Sequence, residues 1–503
     1  SSFTSPPAVV SRASFAMHRR AESCSLSDAA TLSAATASEY APVRMSLAAV
    51  PCMLARHRRA LVHATAALAL ASLGTVGCAE WSAQGEANSS GRNGPSPESS
   101  RPARQARSCP KGFGDCDRDP TNGCETQLEP WETECSLCEP ACRDGMVCRS
   151  GVCRDADPPV KLGAGSDHTC ALRRSGAVVC WGDNSYGQLG DGTTVGRTRP
   201  VRVSGLNDAV DLAVGDRHTC AVRASGAVAC WGDNSSRQVG HDAGTESPLP
   251  APVPGVREAV QVTAGQVHSC ALLANGKATC WGSSESGQLG DGNVDGRSMP
   301  PVPVHAIGMQ LVQLSASTTH TCALNRMGQV TCWGRNDRGQ IGDATSSAHR
   351  PSPVLVRGLS QVTQIASGPS HGCAVRVKGD VLCWGSSEGA AKDAGKPVAI
   401  AGLSDVVQIG AGASHTCART SDGRALCWGS NEHGQLGVEG RSRQLQPVPV
   451  AELQGVALIA VGRRHNCALT EARQVVCWGD NAKGQLGDGT RVRRQAPSEV
   501  ILK

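Results

Sequence analysis

The sequence predicts an all-β fold: a seven-bladed β-propeller of four-stranded blades, preceded by a small disulfide-rich module and a disordered N-terminal region. Three observations predict it. A frame of His-x-Cys-Ala, with Cys-Trp-Gly ten residues after its cysteine, returns seven times, beginning at His168, His218, His268, His320, His371, His415 and His465. Its first cysteines are spaced by 50, 50, 52, 51, 44 and 50 residues, and a period near ~50 with short alternating apolar runs and glycine-rich turns is one propeller blade. The composition agrees, because 40% hydrophobic residues in a chain of 503 is too apolar for a disordered protein and too varied for collagen or a coiled coil.

The elements follow in chain order. Residues 1–52 read as an upstream or non-native extension, disordered. Residues 53–78 read as a signal peptide: Arg56, Arg58 and Arg59 precede an apolar stretch from Ala60 to Gly77, with small residues before Cys78. The segment resembles a bacterial lipoprotein signal, which implies lipidation of Cys78 after cleavage; Thr75 departs from the usual aliphatic residue there. Residues 79–108, rich in Ser, Gly, Asn and Pro, read as a flexible tether. Seven arginines face three acidic residues in 1–77, so the remaining chain has 42 basic and 41 acidic residues out of a net charge of +5. No basic footprint for nucleic acid is left.

Residues 109–157 form the cysteine-rich module, with eight cysteines between Cys109 and Cys153. So short a segment needs staples, and an even cysteine set in an exported chain means disulfides whose pairing the sequence leaves open. Cys135-Ser-Leu-Cys138 fits no familiar zinc spacing. Asp115, Asp117 and Asp119 alternate as calcium ligands do, although turn chemistry accounts for them equally. No cofactor is expected.

Residues 158–503 are the propeller. In the first repeat, Cys170-Ala-Leu-Arg and Ala177-Val-Val-Cys180 flank Arg174-Ser175-Gly176, which reads as a three-residue hairpin with a left-handed glycine. Arg473 is the exception at that glycine position. The hairpin register sets Cys170 opposite Cys180, close enough for a disulfide. The same register predicts Cys220–Cys230, Cys270–Cys280, Cys322–Cys332, Cys373–Cys383, Cys417–Cys427 and Cys467–Cys477. The Trp-Gly pairs are expected between blades, the glycine admitting close approach, and each histidine to hydrogen-bond a neighbouring loop. Repeat one lacks a Pro-Val strand ahead of it, and Ala496–Leu502 is expected to supply it and close the ring.

His-Thr-Cys-Ala-Leu, Cys-Trp-Gly-x-Asn and Gly187-Gln-Leu-Gly-Asp-Gly192 together resemble the repeat of the regulator of chromosome condensation family, over about residues 158–503. The resemblance implies a seven-bladed propeller with varied uses, from nucleotide exchange on a small GTPase to inhibition of a secreted enzyme through one face. Arg237 and Ser317 replace family glycines, and Ser386–Lys396 stands where repeat five should carry its loop, so blade five is expected to have a shape of its own.

Export, the tether and the lack of a nucleophile–base pair point to a non-catalytic binding or scaffold module. It is expected to be a monomer at the outer membrane or cell surface, or secreted, with a lipid anchor in the membrane and a protein partner on one propeller face. One alternative is an enzyme or carbohydrate-processing protein whose site is assembled from irregular propeller loops. Its mark would be carboxylates converging at one end of the channel, and Asp242, Glu285 and Glu432 are too scattered to name as that site. The other is a guanine-nucleotide exchange factor, as the founding family member is.

Overall fold

The computed structural model describes residues 113–114, 126–127, 146–149, 152–306, 308–345, 347–386 and 395–502. Blade one comprises Pro159–Ala164, His168–Arg173, Val178–Gly182 and Arg197–Arg202, paired in chain order as an antiparallel meander. Six more four-stranded sheets repeat this order, ending with Val456–Val461, His465–Thr470, Val475–Gly479 and Arg494–Glu499. The first strands of neighbouring blades lie side by side around a central axis. Turns between second and third strands crowd one face, the hairpin face; loops between third and fourth strands crowd the other, the long-loop face.

The register is the one the hairpin chemistry dictates. Arg173 and Ala177 close the turn and Gly176 takes φ of 89°, so Cys170 falls opposite Cys180. Arg473 adopts φ of 67° in the equivalent turn, a conformation in which an L side chain crowds its own carbonyl. Arg473→Gly is therefore expected to stabilise the propeller by about 1 kcal/mol in urea unfolding; an unchanged midpoint would mean the turn carries no strain.

Closure differs from the expectation. The final strand, Arg494–Glu499, pairs with Val475–Gly479 of its own repeat and not with repeat one. The Pro-Val segment is the outer strand of the blade it follows, so every blade is complete in sequence and the ring closes by packing. Seven separate cores lie between blades; the closing one joins Leu162 and Trp181 to Val475, Leu486 and Val500. Outer edges are blunted because a proline precedes the residue opposite each second cysteine, as Pro200 precedes Val201 and Pro397 precedes Val398. Blade five does depart from the others: its outer strand shrinks to Val398–Ala399, and residues 387–394 lie outside the described residues.

Candidate functional site

The Gly-Gln-Leu-Gly-Asp-Gly loops are built as wedges between blades. Asn184, buried at the end of the third strand, staples its loop: Oδ1 accepts from Leu189 N–H at 2.9 Å, while Nδ2 donates to Thr193 and Val195 carbonyls at 2.9 and 3.1 Å. Asp191 then ties Arg197 and Thr193 to the same loop. Held this way, the Gln188 carbonyl accepts two bonds from blade two, from the Trp231 indole N–H at 2.9 Å and the Thr219 hydroxyl at 3.0 Å. The glycine that admits the indole is Gly190 of the preceding blade, not the one following tryptophan. It sits at φ of 69°, where an added Cβ would lie 2.7 Å from the Trp231 ring nitrogen. Among the described residues Trp428 makes no such bond, since the blade before it lacks the Gly-Gln-Leu-Gly loop.

The histidines reach a strand of the next blade and not a loop. His168 Nε2 lies 2.9 Å from the Thr219 hydroxyl, and the arrangement recurs at His218–Ser269, His268–Thr321, His371–Thr416, His415–Asn466 and His465–Thr169. At Thr169, Thr219, Ser269 and Thr321 the hydroxyl spends its one proton on the loop carbonyl, so the Nε2 facing it must carry the proton it donates. Asn466 makes the same assignment: Nδ2 donates to the Gln435 carbonyl, leaving Oδ1 to accept from His415. Burial holds all seven imidazoles neutral, with pKa values lowered to about 3 or about 4.

One relay is missing. Gly372 stands where the other blades carry Thr, Ser or Asn, and neither ring nitrogen of buried His320 has a partner. Trp384 fills that place, since a Cβ on Gly372 would lie 2.6 Å from the indole Cε2. Thermal and urea unfolding of His268→Phe and His320→Phe should separate the two cases. The first loses a hydrogen bond and the second does not, so His320→Phe should cost at least ~1 kcal/mol less.

A second ring of interblade bonds lies nearer the axis, and the repeat frame did not reveal it. Gln261 donates to the Leu314 carbonyl at 3.1 Å and accepts from the Leu314 N–H at 2.8 Å. Gln313 and Gln408 repeat this clamp on Ile365 and Ile459. In blades one and two an ion pair, Lys161–Asp211, takes the place of the glutamines, and Leu458 stands there in blade seven. The signal was the Gln-x-x-x-Gly/Ser run before the histidine in blades three to six, beginning at Gln261, Gln313, Gln364 and Gln408, which reads as ordinary strand polarity until neighbouring blades are placed.

At the long-loop mouth of the axial channel, a cavity of about 120 Å³ is lined by small residues together with Asp216 and Arg463. These two pair at 3.4 Å, joining blades two and seven across blade one. Burial raises the Asp216 pKa against the opposing pull of Arg463. Asp167 is likewise raised, by burial and then by Asp480 and Asp183. At Asp183 burial is outweighed by hydrogen bonds from Ser185 and Gln188 and by Lys483 at 3.3 Å, and its pKa is lowered. Arg217 stacks 5.0 Å from the Tyr186 ring centre and donates to its hydroxyl at 3.1 Å. Blades three to six carry Gln266-Val267, Thr318-Thr319, Pro369-Ser370 and Ala413-Ser414 at the inner turns, all uncharged. The charged inner turns and the lone non-repeat aromatic of the propeller thus lie on blades seven, one and two.

The loop carboxylates stay apart in role: Asp242 pairs with Arg237 in blade two, while Glu285 and Glu432 belong to the loops of blades three and six. Among the described residues no three His, Cys, Asp or Glu side chains converge as a metal site. Cys78, the calcium candidates Asp115, Asp117 and Asp119, the tether and the signal segment lie outside the described residues. Of the module, Met146–Arg149 and Val152–Asp155 form a hairpin. All fourteen repeat cysteines form disulfides, one per blade, and every one is fully buried. Such pairing fits an oxidising compartment.

The chain is similar to known proteins along this same segment. Models of the regulator of chromosome condensation (RCC1) repeat match residues 160–188, 175–222, 209–238, 225–272 and 259–288, and a model of the RCC1-like domain matches 296–502. The probable E3 ubiquitin-protein ligase HERC4 of Homo sapiens is 32% identical over 82 residues, which is 16% of this chain and only 8% of that protein. Among solved structures, human WBSCR16 shares the fold with a TM-score of 0.59 at 23% identity, covering 65% of this chain and 94% of that one. Yeast RCC1 (Prp20) bound to Kap60 also has a TM-score of 0.59, at 22% identity, covering 69% and 86%. The propeller of residues 160–502 is built of regulator of chromosome condensation repeats.

Proposed function

We propose that this chain is an exported, non-catalytic module that binds a protein partner, anchored to the cell envelope through a lipid on Cys78. The observation that carries the reading is the buried disulfide in each of the seven blades, a feature that a reducing cytosol opposes. The basic and apolar run of residues 53–77, the tether of 79–108 and the cysteine-rich residues 109–157 supply the matching leader, reach and stapled module. The partner meets the long-loop face over blades seven, one and two, where Tyr186, Arg217 and Lys483 offer an aromatic anchor and charges of both signs nearby. A protein partner is also in keeping with the yeast propeller of the same fold, which is described bound to Kap60.

Mass analysis of native protein from a membrane fraction, alkylated before and after reduction, tests this. The expected result is an N-terminus at a lipidated Cys78, with repeat cysteines alkylated only after reduction. A chain that retains residues 53–77 and has Cys170 and Cys180 freely alkylated would overturn it and favour intracellular nucleotide exchange.

A further inference from the structure

The first strand of every blade carries a β-bulge. In blade two Arg223 pairs with Ala209 and Val222 with Asp211, leaving Val210 out of the ladder. The same slip isolates Val160, Val260, Val312, Thr363, Val407 and Ala457. A bulge turns its extra side chain out of the pleat, and the five valines are 40–58% exposed. Each bulge is level with the hairpin turns and each first strand borders the axis, so the seven residues ring the channel mouth on the hairpin face. The ring is uncharged, and exposed Met327 and Val377 in the turns of blades four and five extend it. Exposed valines grouped around one channel mouth, one to a blade, offer an apolar rim to an interface, with charged residues such as Glu258 and Asp405 beside it.

We propose that the ring is covered by the chain's own cysteine-rich segment, residues 109–154. The chain enters the propeller at this face and at a ring residue, Val160. Its entry is pinned: Arg173 pairs with Asp155 at 3.1 Å and donates to the Asp157 carbonyl at 3.0 Å, while the Asp157 carboxylate accepts from Ser175 N–H and Oγ–H at 2.7 and 2.6 Å. The Met146–Arg149/Val152–Asp155 hairpin therefore starts beside the ring, with Val152 no more than about 28 Å of extended chain from Val160. So short a tether raises the local concentration of the segment to the millimolar range, above that of any second copy. By its sequence the segment carries Phe113, Leu128, Trp131 and Leu137, apolar residues that a stretch of this length has little core of its own to take up. The long-loop face is then left to a partner, though the contact itself does not depend on lipidation or on any partner.

Amine-reactive cross-linking of the full chain tests the placement, because Lys111 is the only lysine of the segment. Links from Lys111 to Lys161, Lys277 or Lys378, all on the hairpin face, are expected within one molecule. In a chain carrying both V210D and V260D, substitutions at exposed positions, those links should fall at least tenfold. Proteolysis within residues 109–154 should rise at least tenfold while the propeller melting temperature stays unchanged. Links to Lys483 alone, unchanged proteolysis in the variant, or links found only between isotopically distinct copies would each overturn the proposal. The last result would assign the ring to a second copy.

Discussion

Acidification from pH 7 to about 5 is expected to unfold the propeller. Each buried imidazole falls from an ordinary pKa of 6.5 to about 3 or about 4, through burial above all. Between those values the unfolded chain binds more protons than the folded one. Stability is therefore full above about pH 6.5 and declines as the pH falls towards 4. At pH 5 each histidine forfeits roughly 2 kcal/mol, and seven together on the order of 10 kcal/mol, comparable with the whole stability of a domain. Six of the seven have no partner for Nδ1, so a second ring proton would find no acceptor. The raised pKa values of Asp167 and Asp216 work the other way at lower pH, but only two groups are involved. Urea midpoints measured from pH 7 to 4 should drop steeply below about 6.5, with proton uptake near seven per molecule unfolded. A flat profile down to pH 4 would mean the histidines are already charged, or solvated, in the folded ring.

Removing one blade disulfide should cost about 3 kcal/mol, the loop-closure value for a ten-residue separation. Cys270→Ala with Cys280→Ala is the cleanest case, since both thiols are replaced and no lone cysteine is left to mispair. The bond is wholly buried, so reductant at neutral pH should leave the native protein unalkylated. Adding denaturant should then expose all fourteen repeat thiols together. Stepwise alkylation of single blades without denaturant would show that blades open independently, and a loss under ~1 kcal/mol would show that the unfolded chain already keeps these two positions close without the staple.

Much of this architecture is legible in the residues because it is local. A three-residue turn with a left-handed glycine sets the register of Arg173 against Ala177, and the pairing of Cys170 with Cys180 follows by counting. Repeating that unit at a nearly fixed period implies a ring. Sequence reasoning also marked the places where the pattern breaks, at Arg237, Ser317 and the shortened fifth repeat. It could not say what the breaks do. Arg237 keeps the left-handed φ of the glycine it replaces, at 64°, and Gly372, an unremarkable substitution in the frame, silences the partner of His320.

What only the tertiary structure decided are relations between blades about fifty residues apart. The closing strand joins its own sheet and not the first one, because the phase of a repeat within a blade is invisible to its period. The side-chain amides of Gln261, Gln313 and Gln408 clamp the backbone of the next blade, yet nothing in one strand tells such a glutamine from a solvated one. The glycine serving each tryptophan lies in the preceding blade, at Gly190 for Trp231. Propensity, turn chemistry and hairpin register act over a few residues and are written in the chain. The packing of one blade on the next joins groups brought together only once the ring is formed.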